Sequence, residues 1–410
     1  MAQLDRLSPV SFDADDFPGG LGLKLLRRLL AGLRYGRLQF ELPSGATFEK
    51  IGSEPGPEAV IRIHRWRMLR RVILSGDIGF AEGYINGDWS TPDLTDLIRL
   101  GARNTQGLAP AIGGSWPMKI FHRLIHAMNS NTKRGSRRNI EAHYDLGNRF
   151  YSQWLDASML YSSAIWDADT PSLEAAQSHR LAQIRGELAL SGNESILEIG
   201  CGWGALAKDL ANHAGGQVTG ITLSPSQLAW AREQTSAEIA AGRVDLRLQD
   251  YRDVQGQFDR IVSIEMFEAV GKAYWPAYFA QIRKSLKPGG RAVLQIISIE
   301  EERYCTYSAQ TDFIQAYIFP GGFLPSVSAL QREITDAGLV LTRTRHFGQS
   351  YARTLADWRA RFEANWLAIA ALGFDGEFRH LWNYYLCYCE AGFEEGSIDV
   401  GLYTIEHAGH

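Results

Sequence analysis

The sequence predicts an α/β protein in which a doubly wound, mostly parallel sheet follows a smaller α+β unit. Three observations carry that prediction. Short apolar runs alternate with helical segments from residue 194 to residue 298, and a glycine-rich turn joins the first run to a helix. A polar, basic stretch, "NSNTKRGSRRN" (129–139), separates this region from what precedes it. Strands that alternate with helices pair in parallel, because each helix carries the chain back across the sheet.

In chain order, residues 1–130 are read as an N-terminal domain and 131–410 as a second, with 129–139 as the linker. The first domain carries two basic stretches. In "LGLKLLRRLLAGLRYGR", Leu26, Leu29, Leu30 and Leu33 share one helical face, while Lys24, Arg27, Arg28 and Arg34 point elsewhere. In "IRIHRWRMLRR", Arg62, Arg65, Arg67, Arg70 and Arg71 surround Trp66. Arginines that repel one another invite a phosphate-rich partner, although helices lying on the domain's own core explain both stretches equally well.

In the second domain "ESILEIG" reads as a strand, 203–213 as a helix, "QVTGITL" as a strand, 226–238 as a helix, and "VDLRLQD" and "FDRIVSIE" as strands. A helix over 274–286 and a strand "RAVLQIIS" complete the series. In such sheets ligands sit beyond the carboxyl ends of the strands, where strand order reverses. "ILEIGCGWGAL" (196–206) ends the first strand.

Composition narrows the class. With 45% hydrophobic residues the 410-residue chain buries a large core, and a net charge of -4 gives no general attraction to nucleic acid, so no such partner is expected. The four cysteines and scattered histidines show no metal-ligand spacing, and a reduced, cytoplasmic setting fits them best. No basic-then-apolar leader opens the sequence, and no apolar run nears the roughly 18 residues of a spanning helix.

The glycine turn narrows the choice of ligand, with a purely structural turn as the alternative. Gly200, Gly202 and Gly204 are spaced G-x-G-x-G rather than G-x-G-x-x-G, Trp203 crowds the turn, and Glu198 would repel a pyrophosphate. An acid there suits a ligand bearing an ammonium group, and S-adenosylmethionine has both an amino group and a sulfonium cation. The second strand ends without an acid for a ribose, in "TGITLSPSQL", offering the hydroxyls of Thr222 and Ser224 and the amide of Gln227.

Taken together, "HYDLGNRFY", "YSSAIW", "ILEIGCGWGAL", "GITLSPSQ", "QDYRD", "FDRIVSIEMFEAVG", "YIFPGGFLPS" and "YARTLADW" resemble the cyclopropane fatty acid synthase family, in the same order, over residues 139–410. The resemblance implies the class I, Rossmann-like fold of S-adenosylmethionine-dependent methyltransferases. It implies a cofactor site of Gly200 and Gly202, Tyr161 and Ser162, Thr222, Leu223 and Gln227, and Tyr251 and Arg252 near the adenine, with Glu198 and Asp250 beside them. The implied reaction moves a one-carbon unit to the cis double bond of an unsaturated phospholipid chain. Bicarbonate is the implied base, in a cradle matched here by Glu268, the backbone of Ile297, and Tyr351. Two cradle positions depart: Ser163 stands where the family has cysteine, and Gln295, which cannot titrate near neutral pH, where it has histidine.

An isolated alkene is a weak nucleophile, so it attacks a sulfonium methyl only when both are held together in a dry pocket. The resulting carbocation needs aromatic faces, a nearby anion and a base. Loss of a proton from the new methyl closes a cyclopropane; loss from a chain carbon leaves a methyl-branched or methylene-bearing chain. The residues leave both open.

The remaining candidates read as structure. Glu265 is an ordinary helix-start acid satisfying backbone donors, His143 and Tyr144 pack and cap the helix through "LGNRFYSQWL", and the aromatics of "WNYYLCYC" (382–389) build core. A lipid tail leaving a bilayer loses about 0.8 kcal/mol per exposed methylene, so the protein is expected to dock peripherally at the inner membrane surface. Arg65, Arg67, Arg70 and Arg71, or the helix around Arg27 and Arg28, would make that contact. A homodimer is the default assembly.

Overall fold

A computed structural model describes residues 26–27, 30–112, 135, 146–213 and 215–407. The chain divides into two compact units, Met1–Met118 and Lys119–His410. The expected linker lies outside the described residues except for Gly135, and so do His143, Tyr144, Lys24, Arg28 and Leu29.

The first unit contains β1 (Tyr35–Glu41), β2 (Thr47–Ile51), β3 (Glu54–Ile63), α1 (Arg67–Ile85), β4 (Trp89–Ser90), α2 (Leu94–Arg103) and α3 (Thr105–Ile112). Its sheet has the order β2-β1-β3-β4, with β1 antiparallel to β2 and parallel to β3. Alternate residues of β1 point inward, so Leu38 and Phe40 are buried, and the described leucines of the first basic stretch, Leu26, Leu30 and Leu33, join the core.

The second basic stretch is not one helix: β3 ends at Ile63 and α1 begins at Arg67. Its arginines converge on the fully buried carboxylate of Asp88, with Arg65 at 3.6 Å, Arg67 at 2.7 Å and Arg71 at 3.1 Å. Arg71 also reaches Glu82 at 3.0 Å, and Arg62 reaches Glu41 at 2.9 Å. The repulsion evident in the sequence is therefore offset within the unit. Gly76, at φ 63 and ψ -130, kinks α1 in a conformation that a side chain would strain.

The second unit contains α4 (Leu173–Leu188), β5 (Ile196–Ile199), α5 (Ala205–His213), β6 (Val218–Thr222), α6 (Pro225–Gln234), β7 (Val244–Leu248), β8 (Phe258–Ile264), α7 (Trp275–Ser285) and β9 (Leu286–Ile299). There follow α8 (Glu301–Ala309), α9 (Val327–Asp336), β10 (Leu339–His346), α10 (Gly348–Ala364), α11 (Gly376–Glu394) and β11 (Ile398–His407). The sheet order is β10-β11-β9-β8-β5-β6-β7. From β9 to β7 every pair is parallel, and β11 lies antiparallel to both β9 and β10. The doubly wound, mostly parallel sheet expected from the alternation is present.

Strand order reverses at β5, with β6 and β7 on one side and β8 and β9 on the other. All four β5 residues are buried, because helices cover both faces of a parallel sheet, and that burial includes the carboxylate of Glu198. The turn after β5 passes through left-handed conformations at Gly200 (φ 86), Gly202 (φ 51) and Gly204 (φ 89), which only glycine enters without cost. A Cβ on Gly204 would sit 2.9 Å from that of Ala231, so the close approach of α6 also requires glycine there. The helix expected over 226–238 breaks at Thr235, whose hydroxyl bonds back to the Ala231 carbonyl at 2.7 Å. Among the described residues no helix is long and apolar enough to cross a membrane.

Candidate active site

Two sets of groups meet beyond the carboxyl ends of β5, β8 and β9. The first surrounds the glycine turn. Glu198 lies inside the strand, and its Oε2 has no hydrogen-bond partner among the described residues. Burial pushes its carboxyl up to about 8, against the pull of Arg180. A Cβ on Gly202 would meet nothing within 4 Å, so the turn faces open space. Trp203 closes one side, with its indole N–H donating to Asn148 Oδ1 at 2.8 Å. This combination fits S-adenosylmethionine: an orphaned acid for the ammonium group and a concave backbone beside it.

The residues after β6 hold one another. Ser224 caps α6 by accepting the Gln227 N–H at 3.3 Å, Pro225 opens the helix, and Thr222 Oγ1 donates to Gln227 Oε1 at 3.1 Å. Leu223 between them keeps partial exposure. Asp250 accepts from the Arg252 guanidinium at 2.8 and 2.6 Å, and Arg252 lies 5.3 Å over the Tyr251 ring. Asp250 thus holds the Arg252 guanidinium over the Tyr251 ring.

The second set centres on Glu265. Glu265 follows β8 at φ 48, a left-handed conformation that disfavours any residue with a Cβ by about 1 kcal/mol or more. Its own N–H donates to the Gln295 carbonyl of β9 at 2.8 Å. Three donors hold its carboxylate: the Tyr351 hydroxyl at 2.6 Å, Gln295 Nε2 at 2.7 Å and the Ser163 N–H at 2.8 Å. Behind them the buried Arg180 of α4 donates to Ser162 Oγ at 2.7 Å and to Gln295 Oε1 at 3.5 Å. Gln295 thus bridges a cation and an anion, which fixes the orientation of its amide. Burial raises the Glu265 carboxyl, while Tyr351, Ser163, Arg180 and Gln295 all oppose the rise. The acid expected to satisfy backbone donors at a helix start takes one backbone donor, Ser163, and two side-chain donors, Gln295 and Tyr351.

Glu268 lies one turn further on. Its Oε1 accepts the Ile297 N–H at 2.6 Å, and its Oε2 has no partner among the described residues. Burial first, and the neighbouring Glu265 charge second, push it up to about 8. The "YIFPGGFLPS" segment supports this turn from outside, since the Phe323 N–H donates to the Glu268 carbonyl at 2.9 Å. Aromatic rings wall the other side. The Tyr161 hydroxyl meets that of Tyr385 at 2.8 Å, and the Tyr161 ring lies 5.5 Å from Tyr151 and 5.4 Å from both Trp154 and Trp358. In "WNYYLCYC", Trp382 and Tyr384 are buried as core, while Tyr385 reaches the site through its hydroxyl.

The fold therefore gathers Ser163, Glu268, Gln295, Ile297 and Tyr351, although Tyr351 comes from α10 and Ser163 from the segment before α4. Sequence reasoning missed Glu265 and Arg180. The only signal for Glu265 was its place at the carboxyl end of a strand; for Arg180 there was none, because an arginine on a helix reads as solvent-facing.

Comparison with known proteins identifies the family. Residues 131–402 match the family model described as mycolic acid cyclopropane synthetase. The chain is 37% identical to tuberculostearic acid methyltransferase UfaA1 of Mycobacterium tuberculosis, over 85% of this chain and 83% of that protein. It is 35% identical to the cyclopropane-fatty-acyl-phospholipid synthase of Escherichia coli, over 89% of this chain and 91% of that protein. Among solved structures it resembles mycolic acid cyclopropane synthase CmaA1 complexed with SAH and CTAB, with a TM-score of 0.62 and 30% identity, covering 66% of this chain and 97% of that one. The protein is an S-adenosylmethionine-dependent methyltransferase that acts on lipid acyl chains, and it belongs to the mycolic acid cyclopropane synthetase family.

Proposed function

We propose that the enzyme transfers a one-carbon unit to the cis double bond of an unsaturated acyl chain carried on a phospholipid, through a carbocation, and closes a cyclopropane ring. The observation that carries this reading is the hydrogen-bonded cluster of Glu265, Tyr351, Gln295 and Arg180 next to Glu268 and an aromatic wall. A developing carbocation needs an anion and π faces in a dry site, and this is where the chain concentrates both. Phospholipid as the carrier is supported by extent: the match to the phospholipid synthase runs through the N-terminal unit, whereas CmaA1 aligns with 66% of this chain.

S-adenosylmethionine supplies the electrophilic methyl group. Glu198 would hold its ammonium group, the Gly200–Gly204 turn its backbone side, and Tyr251 with Arg252 its adenine. Incubation with unsaturated phospholipid vesicles should release S-adenosylhomocysteine, and proton NMR of the lipid should show upfield cyclopropane methylene protons. A methylene-bearing product has the same mass but olefinic protons instead, and would replace ring closure with proton loss from the chain. Absence of S-adenosylhomocysteine release would end the proposal.

Glu198 sets the pH dependence of cofactor binding. With its carboxyl near 8, it is mostly protonated at pH 7 in the free enzyme, and an incoming ammonium group favours the ionised form. Binding at pH 7 should therefore expel a proton, and affinity should rise with pH up to about 8. Calorimetry in two buffers of different ionisation enthalpy measures this. Glu198→Gln should bind on the order of 10- to 100-fold more weakly, with the proton release gone.

Docking at the inner membrane surface belongs to the same proposal. On α1 the basic segment runs directly into Ile73 and Leu74, which are 41% and 51% exposed, and the Arg65 and Arg67 side chains also reach solvent. Exposed apolar residues beside arginines suit an anionic bilayer. Sedimentation with anionic vesicles should fall at high salt and fall further in an Ile73→Ser, Leu74→Ser variant. Equal recovery on neutral vesicles would count against an electrostatic contribution.

A further inference from the structure

Bicarbonate, the base implied by the resemblance, does not fit the cradle in this protein. The Tyr351 hydroxyl, Gln295 Nε2 and the Ser163 N–H are all taken by the Glu265 carboxylate, and the Ile297 N–H is taken by Glu268. The Ser163 hydroxyl donates to the Ala164 carbonyl at 2.8 Å. A second anion would have to displace a covalently attached one from its donors while lying against two carboxylates.

We propose that Glu265 is itself the anion and the base of the reaction: a carboxylate built into the chain that takes the place of recruited bicarbonate. A carboxylate and bicarbonate present the same planar O–C–O face to hydrogen-bond donors, so one can stand where the other would. Three features place it there. The left-handed backbone at Glu265 is the kind of local cost that persists where the surroundings enforce it, and here it directs the carboxylate into its donors. Gln295 suits a resident carboxylate, since it donates to Glu265 while accepting from Arg180, and it does so without titrating. Glu265 also keeps part of its surface accessible, and three donors leave lone-pair capacity on a group that can accept about four hydrogen bonds.

This inference rests on the proposed alkene chemistry. The π pair of the alkene forms the new carbon–carbon bond to the methyl group. The carbon–sulfur pair leaves with sulfur as S-adenosylhomocysteine, and the adjacent chain carbon becomes cationic. Glu265 then accepts a proton from the new methyl group, and the freed C–H pair closes the ring. The proton passes from Glu265 to solvent, so each turnover releases one proton.

The test separates this inference from the function on which it rests. Wild-type enzyme should keep its rate in CO2-free buffer, and 13C-labelled bicarbonate should give no bound NMR signal. Glu265→Gly relieves the backbone, so folding is favoured, and it should lose on the order of 100-fold or more in rate. Added bicarbonate should restore part of that rate, and a bound 13C signal should appear. Glu265→Gln, which keeps shape without basicity, should be inactive and not rescued. A wild-type rate that collapses without CO2, or Glu265 variants that retain the full rate, would overturn the inference while leaving methyl transfer intact. If wild-type enzyme transferred no methyl group at all, the function would fall, and the inference would be judged on 13C-bicarbonate binding alone. Binding by Glu265→Gly but not by wild type would support a resident carboxylate; binding by both would overturn it.

Discussion

Arg180→Met should cut turnover by roughly 10²- to 10⁴-fold, the range associated with loss of a positioned acid–base group, and should move the rate profile to higher pH. The guanidinium is buried and hydrogen-bonds Gln295 and Ser162, so it acts by charge and position. Its charge lowers the carboxyls of Glu265 and Glu198, against the burial that raises both. Without it both carboxyls rise, fewer are ionised at neutral pH, and the active form is reached only under more alkaline conditions. Stability should suffer less than activity, because a buried carboxylate deprived of its cation can take up a proton. Arg180→Lys should keep part of both the rate and the profile. A variant whose profile superimposes on that of wild type would show that Arg180 serves packing alone.

In the first unit, Asp88→Ala should destabilise by about 3 kcal/mol, the lower end for a broken buried pair because Arg65 and Arg67 can turn to solvent. The side chain is fully buried and receives two hydrogen bonds from Arg67 Nε, one from Arg67 Nη2 and one from Arg71 Nε. Its loss leaves three guanidinium groups facing one another, with Glu82 near Arg71. Hydrogen exchange of amides in β1 and β3 should accelerate by about 100-fold, the factor equivalent to that energy. Unchanged protection would mean that the arginines are held by other contacts.

The parallel strands were legible because burial on both faces favours apolar runs: β5 and β6 are buried throughout, and β8 and β9 in their carboxyl-terminal halves. β10 is different. Its sequence, "LVLTRTRH", is mostly polar and mostly exposed, which suits an edge strand and conceals it among helices. In the site, Ser163, Glu268, Gln295, Ile297 and Tyr351 were found because they occupy recognisable motif positions, and the fold gathers them. Glu265 was passed over because sequence does not display φ, and only the backbone turn shows where its carboxylate goes. Arg180 was invisible for a related reason: its helix turns Gln177, Arg180 and Glu187 inward among apolar residues, contrary to what charge along a helix suggests.

The position of β11 carries a consequence for how the enzyme comes to exist. It is hydrogen-bonded along β9 from Ile299 back to Arg291, yet more than three helices of sequence separate the two strands. During synthesis, β9 must therefore wait with an open, apolar border that includes Gln295 and Ile297, exposed to any neighbouring nascent chain. The same border that aligns the chemistry is thus where this polypeptide is most prone to aggregate before maturation, and crowded expression should expose that weakness first.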